Sequence, residues 1–335
     1  MTETMTLAAP ITPVPEAIQR MAKDIKASAA MMSDAEARFL VDYYYVCQED
    51  RKRFNNQDRS LKESGEPSLI IQWLAAQAKY LEGQVKAALD VYTQAHPMGS
   101  YMRCVVGIGP VISAGLLAHI KIAQAPTAGH IWRVAGLDPT TVWGKGEKRP
   151  FNAKLKVLCW KAGQSFMKFS GRDDCYYGKL YLERKAFEVA RNESGGNRDA
   201  AEKAISKYAK NTEAYKHVSN GVLPPAQIDA RARRWAVKQF LSDMHAHWYR
   251  IHHGVDMPPN PYPIAHMGHA HLRTPPAYDL LRPVTHFDVT ETAIPQVVPE
   301  KKAKRVKKSI KTKPVLQREG GRRKPVSMNV PHKRK

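Results

Sequence analysis

The stretch Cys104-Val-Val-Gly-Ile-Gly-Pro-Val-Ile-Ser-Ala-Gly-Leu-Leu-Ala-His-Ile120 constrains the fold more than any other part of the chain. Gly107 and Gly109 permit a tight turn with positive φ and no Cβ clash. Pro110 suits the first position of a helix, where a missing N–H costs nothing. Ser113, Ala114 and Gly115 are small, which predicts close approach of the preceding helix. The layout is a helix-hairpin-helix unit with Ile108 at its tip. The free N–H groups of such a turn, and the positive end of its second helix, can face a phosphate. A buried glycine turn between two core helices has the same spelling, and the motif alone leaves both readings open.

Charge bears on that choice. The 335 residues include 53 Lys and Arg against 31 Asp and Glu, a formal net charge of +22. A surplus of that size attracts polyanions and releases their counterions on contact. A membrane is not expected as a partner: no apolar run reaches 18 residues, and no signal-peptide pattern is present. Cys47, Cys104, Cys159 and Cys175 are scattered with no CxxC pair, which reads as reduced thiols in a cytoplasmic protein, nucleoid-associated if it binds DNA.

The pattern predicts a mainly α chain. Residues 1–13 read as a flexible terminus and 14–97 as a helical arm. Within the arm a first helix is expected from about 15 to 30. Ser33 and Glu36 then form a capping box, and Phe39, Leu40, Tyr43, Val46 and Cys47 share one helical face. After Gly65-Glu66-Pro67, the residues Leu74, Ala78, Leu81, Val85, Ala88 and Tyr92 make a heptad-like seam, fitting a helical hairpin, a coiled-coil dimer or an ordinary amphipathic core helix. The helix-hairpin-helix domain is expected over 98–254. A proline-rich extension over 255–298 and a disordered basic tail over 299–335 follow.

Lys145, Lys148, Arg149, Lys154 and Lys156 crowd the segment after the hairpin, with Trp143, Phe151 and Trp160 between them. Cations interleaved with aromatics suit a surface that tracks a nucleic-acid backbone and stacks its bases, and a solvated basic loop over a core helix has the same composition. Arg231, Arg234 and Lys238 share a face of the helix expected over 227–252. Histidines gather at 245, 247, 252, 253, 266, 269 and 271, without the cysteine or carboxylate spacing of a metal site. Ser165 and Ser170 have no visible base beside them, and Asp34, Glu36, Asp42, Glu49 and Asp50 fall on exposed helix faces.

Residues 105–120, the run Thr127-Ala-Gly-His-Ile-Trp-Arg-Val-Ala-Gly-Leu-Asp-Pro139 and the basic stretch 145–156 together resemble the C-terminal domain of certain insertion-sequence transposases. In that family of RNA-guided recombinases a RuvC-like domain and a coiled-coil arm precede a helix-hairpin-helix domain. The likeness covers about residues 70–170 and keeps the order of arm and hairpin. It implies a protein of a mobile element or phage that acts in DNA transposition. The implied partners are DNA, structured RNA, a second copy through the arm and a separate RuvC-like protein.

Two departures limit the implication. Nothing here resembles the RuvC-like domain with its acidic quartet. Asn152, in Lys148-Arg-Pro-Phe-Asn-Ala-Lys-Leu155, stands where the family places a nucleophilic serine, and an amide cannot attack a phosphodiester. No catalytic residue is therefore carried over, and the isolated chain is expected neither to cleave nor to join DNA. Mg²⁺ enters as a cofactor only if the chain is catalytic. The expected DNA contacts are Gly107, Ile108 and Gly109; Lys145, Lys148, Arg149, Asn152, Lys154 and Lys156; and Arg231, Arg234 and Lys238. The alternative is a non-catalytic accessory protein that binds DNA or structured RNA.

Overall fold

The computed structural model describes residues 20–255 apart from Lys145, all within the first of two compact units, residues 1–286. The extension beyond 255, the tail and residues 1–19 lie outside the described residues, as do His266, His269 and His271. Every regular element among the described residues is helical.

The arm is built from α1 (Lys23–Ser28), α2 (Asp34–Glu63) and α3 (Leu69–Ala95). Of the helix expected from about 15 to 30, the described residues 20–22 are not helical; α1 runs into a single 3-10 turn, Ala29–Met31. The capping box forms as expected: Ser33 N–H donates to the Glu36 carboxylate at 2.8 Å, and Glu36 N–H donates to Ser33 Oγ at 3.3 Å. Gly65, at φ +81°, turns the chain between α2 and α3. The heptad-like seam of α3 is occupied within the chain. Leu74, Ala78 and Leu81 line one groove with Tyr43, Cys47 and Phe54 of α2, while Val85, Ala88 and Tyr92 are buried. Arg51 and the buried Glu82 pair across the two helices. The arm is thus a helical hairpin.

Next come α4 (Gly99–Cys104), the Gly107–Gly109 turn and α5 (Pro110–His119). The helix α5 is buried over Val111 and Ser113–Ala118 and packs against α2, α3 and α7 (Ala153–Lys168). The small residues admit a preceding helix, α2, as the sequence suggests, and also the following α7. A Cβ on Gly115 would lie 2.7 Å from Leu158 Cδ1 of α7 and 3.4 Å from Val41 Cγ1 of α2. The thin face thus takes both helices at close range.

Between α5 and α7 sits α6 (Ala128–Val134), closed by Gly136 at φ +64°. Beyond α7 the chain forms α8 (Tyr176–Glu193), α9 (Arg198–Glu202), α10 (Glu213–Ser219) and α11 (Pro225–His253). Phe166, Tyr177 and Phe240 meet at 5.1–5.6 Å where α7, α8 and α11 join, with Phe240 edge to face on both other rings. One continuous core runs from Val41 and Leu89 in the arm through Leu116 and Leu155 to Phe240. It crosses the boundary expected at residue 97, so the base of the arm and the hairpin share a core. A separate small cluster, Ala201, Ala204, Val218, Leu223 and Ile228, lies under α9 and α10.

Candidate nucleic-acid interface

The hairpin turn rests on the C-terminal half of α7. Gly107 has φ +95°, and Ser165 Oγ donates to its carbonyl at 2.5 Å. A Cβ there would sit 3.3 Å from both Ser165 Oγ and the ring of the fully buried Phe166. Gly109 differs in kind: its φ is −89°, it is exposed, and a Cβ would meet nothing within 4 Å. Ile108 turns its side chain into the core, so the tip can offer only main chain to a ligand. Gly109 caps α5 with no side chain, which leaves the first-turn N–H groups of a ten-residue helix uncapped.

Charge is unevenly spread over the described residues. Residues 20–96 carry 11 Lys and Arg against 11 Asp and Glu, so the arm is neutral. Residues 99–168 carry ten against two. Both acids of that segment are tied into turns: Asp138 accepts from Thr140 N–H at 2.9 Å, and Glu147 accepts from Gly144 N–H at 2.7 Å. Two of the ten cations are paired from the arm, Arg103 with Asp90 at 2.5 Å and Lys154 with Asp42. Among the described residues Lys121, Arg133, Lys148, Arg149, Lys156, Lys161 and Lys168 form no ion pair.

Four of the ten cations, Lys154, Lys156, Lys161 and Lys168, belong to α7, a helix without a single acidic residue. Lys154, Lys161 and Lys168 recur every seven residues and so lie along one edge, beside α2. Lys161 Nζ lies 3.6 Å from the centre of the Tyr45 ring. Burial, and then the nearby Lys52, lower its ammonium below the usual lysine range. Lys156 lies on the other edge, 4.4 Å over the Phe151 ring. Between the edges α7 presents the exposed Val157 and Trp160. The loop before α7 adds Trp143, edge-on to Phe151 at 6.2 Å, with the Arg149 guanidinium 5.9 Å from the Trp143 ring.

Other expected contacts have structural occupations. Asn152 caps α7: its side chain accepts from Leu155 N–H at 3.1 Å and lies 3.1 Å from His119 Nδ1. Burial, then Arg38, holds His119 below the ordinary histidine value. Arg231 donates to Asn197 Oδ1 at 2.8 Å and reaches Glu188 at 3.5 Å, which turns it toward α8 and away from the α7 face. Lys238 lies 4.0 Å over the Trp132 ring, and its carbonyl accepts from Trp132 Nε1. Arg234 is exposed, and Lys145 lies outside the described residues. Ser170 Oγ donates to Met167 O at 2.8 Å, so both serine hydroxyls engage main-chain carbonyls. His245 hydrogen-bonds Ala125 O at 2.8 Å and His247 stacks on Tyr101 at 4.7 Å. Among the described residues no cluster of His, Cys, Asp and Glu is placed to hold a metal ion, and no helix is long and apolar enough to cross a membrane.

The structure therefore gathers Lys148, Arg149, Lys154 and Lys156 along the start of α7 and sets Gly107 and Gly109 near its end. Lys161 and Lys168 extend the lysine edge and were missed from the sequence, although their spacing from Lys154 on an acid-free helix was the signal. No family model matches the chain, and no curated protein or solved structure matches it either.

Proposed function

We propose that this chain binds DNA through its phosphate backbone, as a transposase-like protein of a mobile element or phage. The observation that carries the reading is the charge of residues 99–168, ten cations against two acids, with both acids held in turns. The glycine hairpin supports it with uncapped helix N–H groups beside the same helix that bears the lysine row. The resemblance of residues 70–170 to insertion-sequence transposases supplies the role in transposition. A second reading, an accessory protein without strand-transfer chemistry, is favoured by the engagement of Ser165, Ser170 and Asn152 in helix and turn hydrogen bonds.

Duplex affinity measured by fluorescence anisotropy across salt tests the first reading. Each neutralised phosphate contributes about −0.9 to the slope of log K against log salt, so engagement of five or more cations gives a slope of about −4 or steeper. A flat slope, or no binding at low salt, refutes it. Supercoiled plasmid incubated with the chain, Mg²⁺ and structured RNA separates the two: strand cleavage abolished by Ser165→Ala or Ser170→Ala removes the accessory reading.

A further inference from the structure

We infer that the face formed by Trp143, Phe151, Lys156 and Trp160 binds unpaired nucleobases, so that the chain holds single-stranded segments in addition to duplex. The inference rests on the nucleic-acid reading and deepens it. Trp160 is 59% exposed in the middle of α7, and Trp143 is 43% exposed in the preceding loop. Large aromatic surface left in water is uninformative when isolated, but here it is contiguous and bordered by cations. Trp143 meets Phe151 edge to face, Lys156 lies over Phe151, and Trp160 follows Lys156 by one helical turn. Val142 and Val157, both exposed, extend the apolar strip.

Rings and cations in alternation match a single strand, in which each base offers a π-face and each linkage a phosphate. A duplex hides its base faces and shows only edges in the grooves. The lysine row on the α2 side and Arg149 over Trp143 give the backbone a track on either side of the rings. Among the described residues no ring stacks on Trp160, so its indole is open to a base.

The test uses the full chain, a single strand of about twelve nucleotides as DNA and as RNA of matching sequence, and the corresponding duplex. Trp143→Ala and Trp160→Ala are each expected to weaken single-strand binding at least about five-fold, the double variant more, with Trp160→Phe close to the parent. Duplex affinity and the melting temperature should change little, because both indoles are exposed. The DNA and RNA arms tell which strand is preferred. Equal losses on duplex and single strand, or no loss on either, overturn the inference and leave the duplex reading standing. So does binding of polyglutamate that depends on the same tryptophans, since that points to an acidic protein. Failure of the parent chain to bind any nucleic acid overturns the nucleic-acid reading and this inference with it.

Discussion

Replacing Gly107 and Gly109 by alanine, one at a time, separates the turn as scaffold from the turn as ligand contact. At Gly107 the backbone stands at φ +95°. An L-residue held on the left-handed side costs about 1–2 kcal/mol. The new methyl would also press at 3.3 Å against Ser165 Oγ and the Phe166 ring, and Phe166 is fully buried with no room to retreat. Overpacking of that kind adds roughly 1–2 kcal/mol. The total, about 2–4 kcal/mol, should lower Tm by roughly 5–15 °C for a body of this size. At Gly109, with φ −89° and open space around the position, alanine should leave Tm within about 2 °C. The methyl would instead stand at the mouth of α5, where a phosphate must approach, and duplex affinity should fall several-fold. Thermal melts by circular dichroism and anisotropy titrations, both at low salt, give the two readouts. Equal destabilisation by the two variants would refute the assignment of the turn's strain to Gly107. Unchanged affinity of Gly109→Ala would refute the approach of a ligand to this helix end.

Three further outcomes follow from the same geometry. Burial is the first cause holding His96, His119, His245 and His247 below the ordinary histidine value of 6.5, so the unfolded chain takes up these protons first. Urea midpoints should therefore be level above about pH 6.5 and fall as the pH drops to 5; a level midpoint at pH 5 contradicts the burial of these rings. Arg231→Ala removes a partner from Glu188, which is 2% exposed and keeps Arg184 at 2.5 Å, and should cost about 2 kcal/mol while duplex affinity changes less than two-fold. Lost affinity with unchanged stability would instead make Arg231 a nucleic-acid contact. Residues 299–335 carry 15 Lys and Arg against two acids, so their deletion should weaken binding to all sequences alike and make the salt slope shallower; an unchanged slope would show that this charge does not meet phosphate.

Local chemistry made much of the helix pattern legible. Ser33 with Glu36, Gly65 before Pro67, Pro110 and Gly136 each mark a helix end through forces that act within a few residues. The seam of α3 was legible as a seam, but its partner was not, since a hairpin and a dimer ask for the same spacing. The candidate site divides in the same way. The crowd of lysines and aromatics around α7 lies within one stretch of chain, so composition alone exposed it. The opposite fates of Gly107 and Gly109 did not show, because they depend on Phe166 and Ser165, nearly sixty residues on. Arg231, Arg234 and Lys238 share a helical face by spacing, yet Glu188 and Asn197 draw Arg231 inward while Trp132 lies under Lys238. Asn152 read as a displaced nucleophile and is a helix cap facing His119, thirty-three residues earlier. Sequence by itself thus determined the helices, their ends and where charge is concentrated, which are short-range properties. Tertiary packing decided which cations keep their charge open to a ligand, because that depends on which distant carboxylate, ring or carbonyl the fold brings alongside.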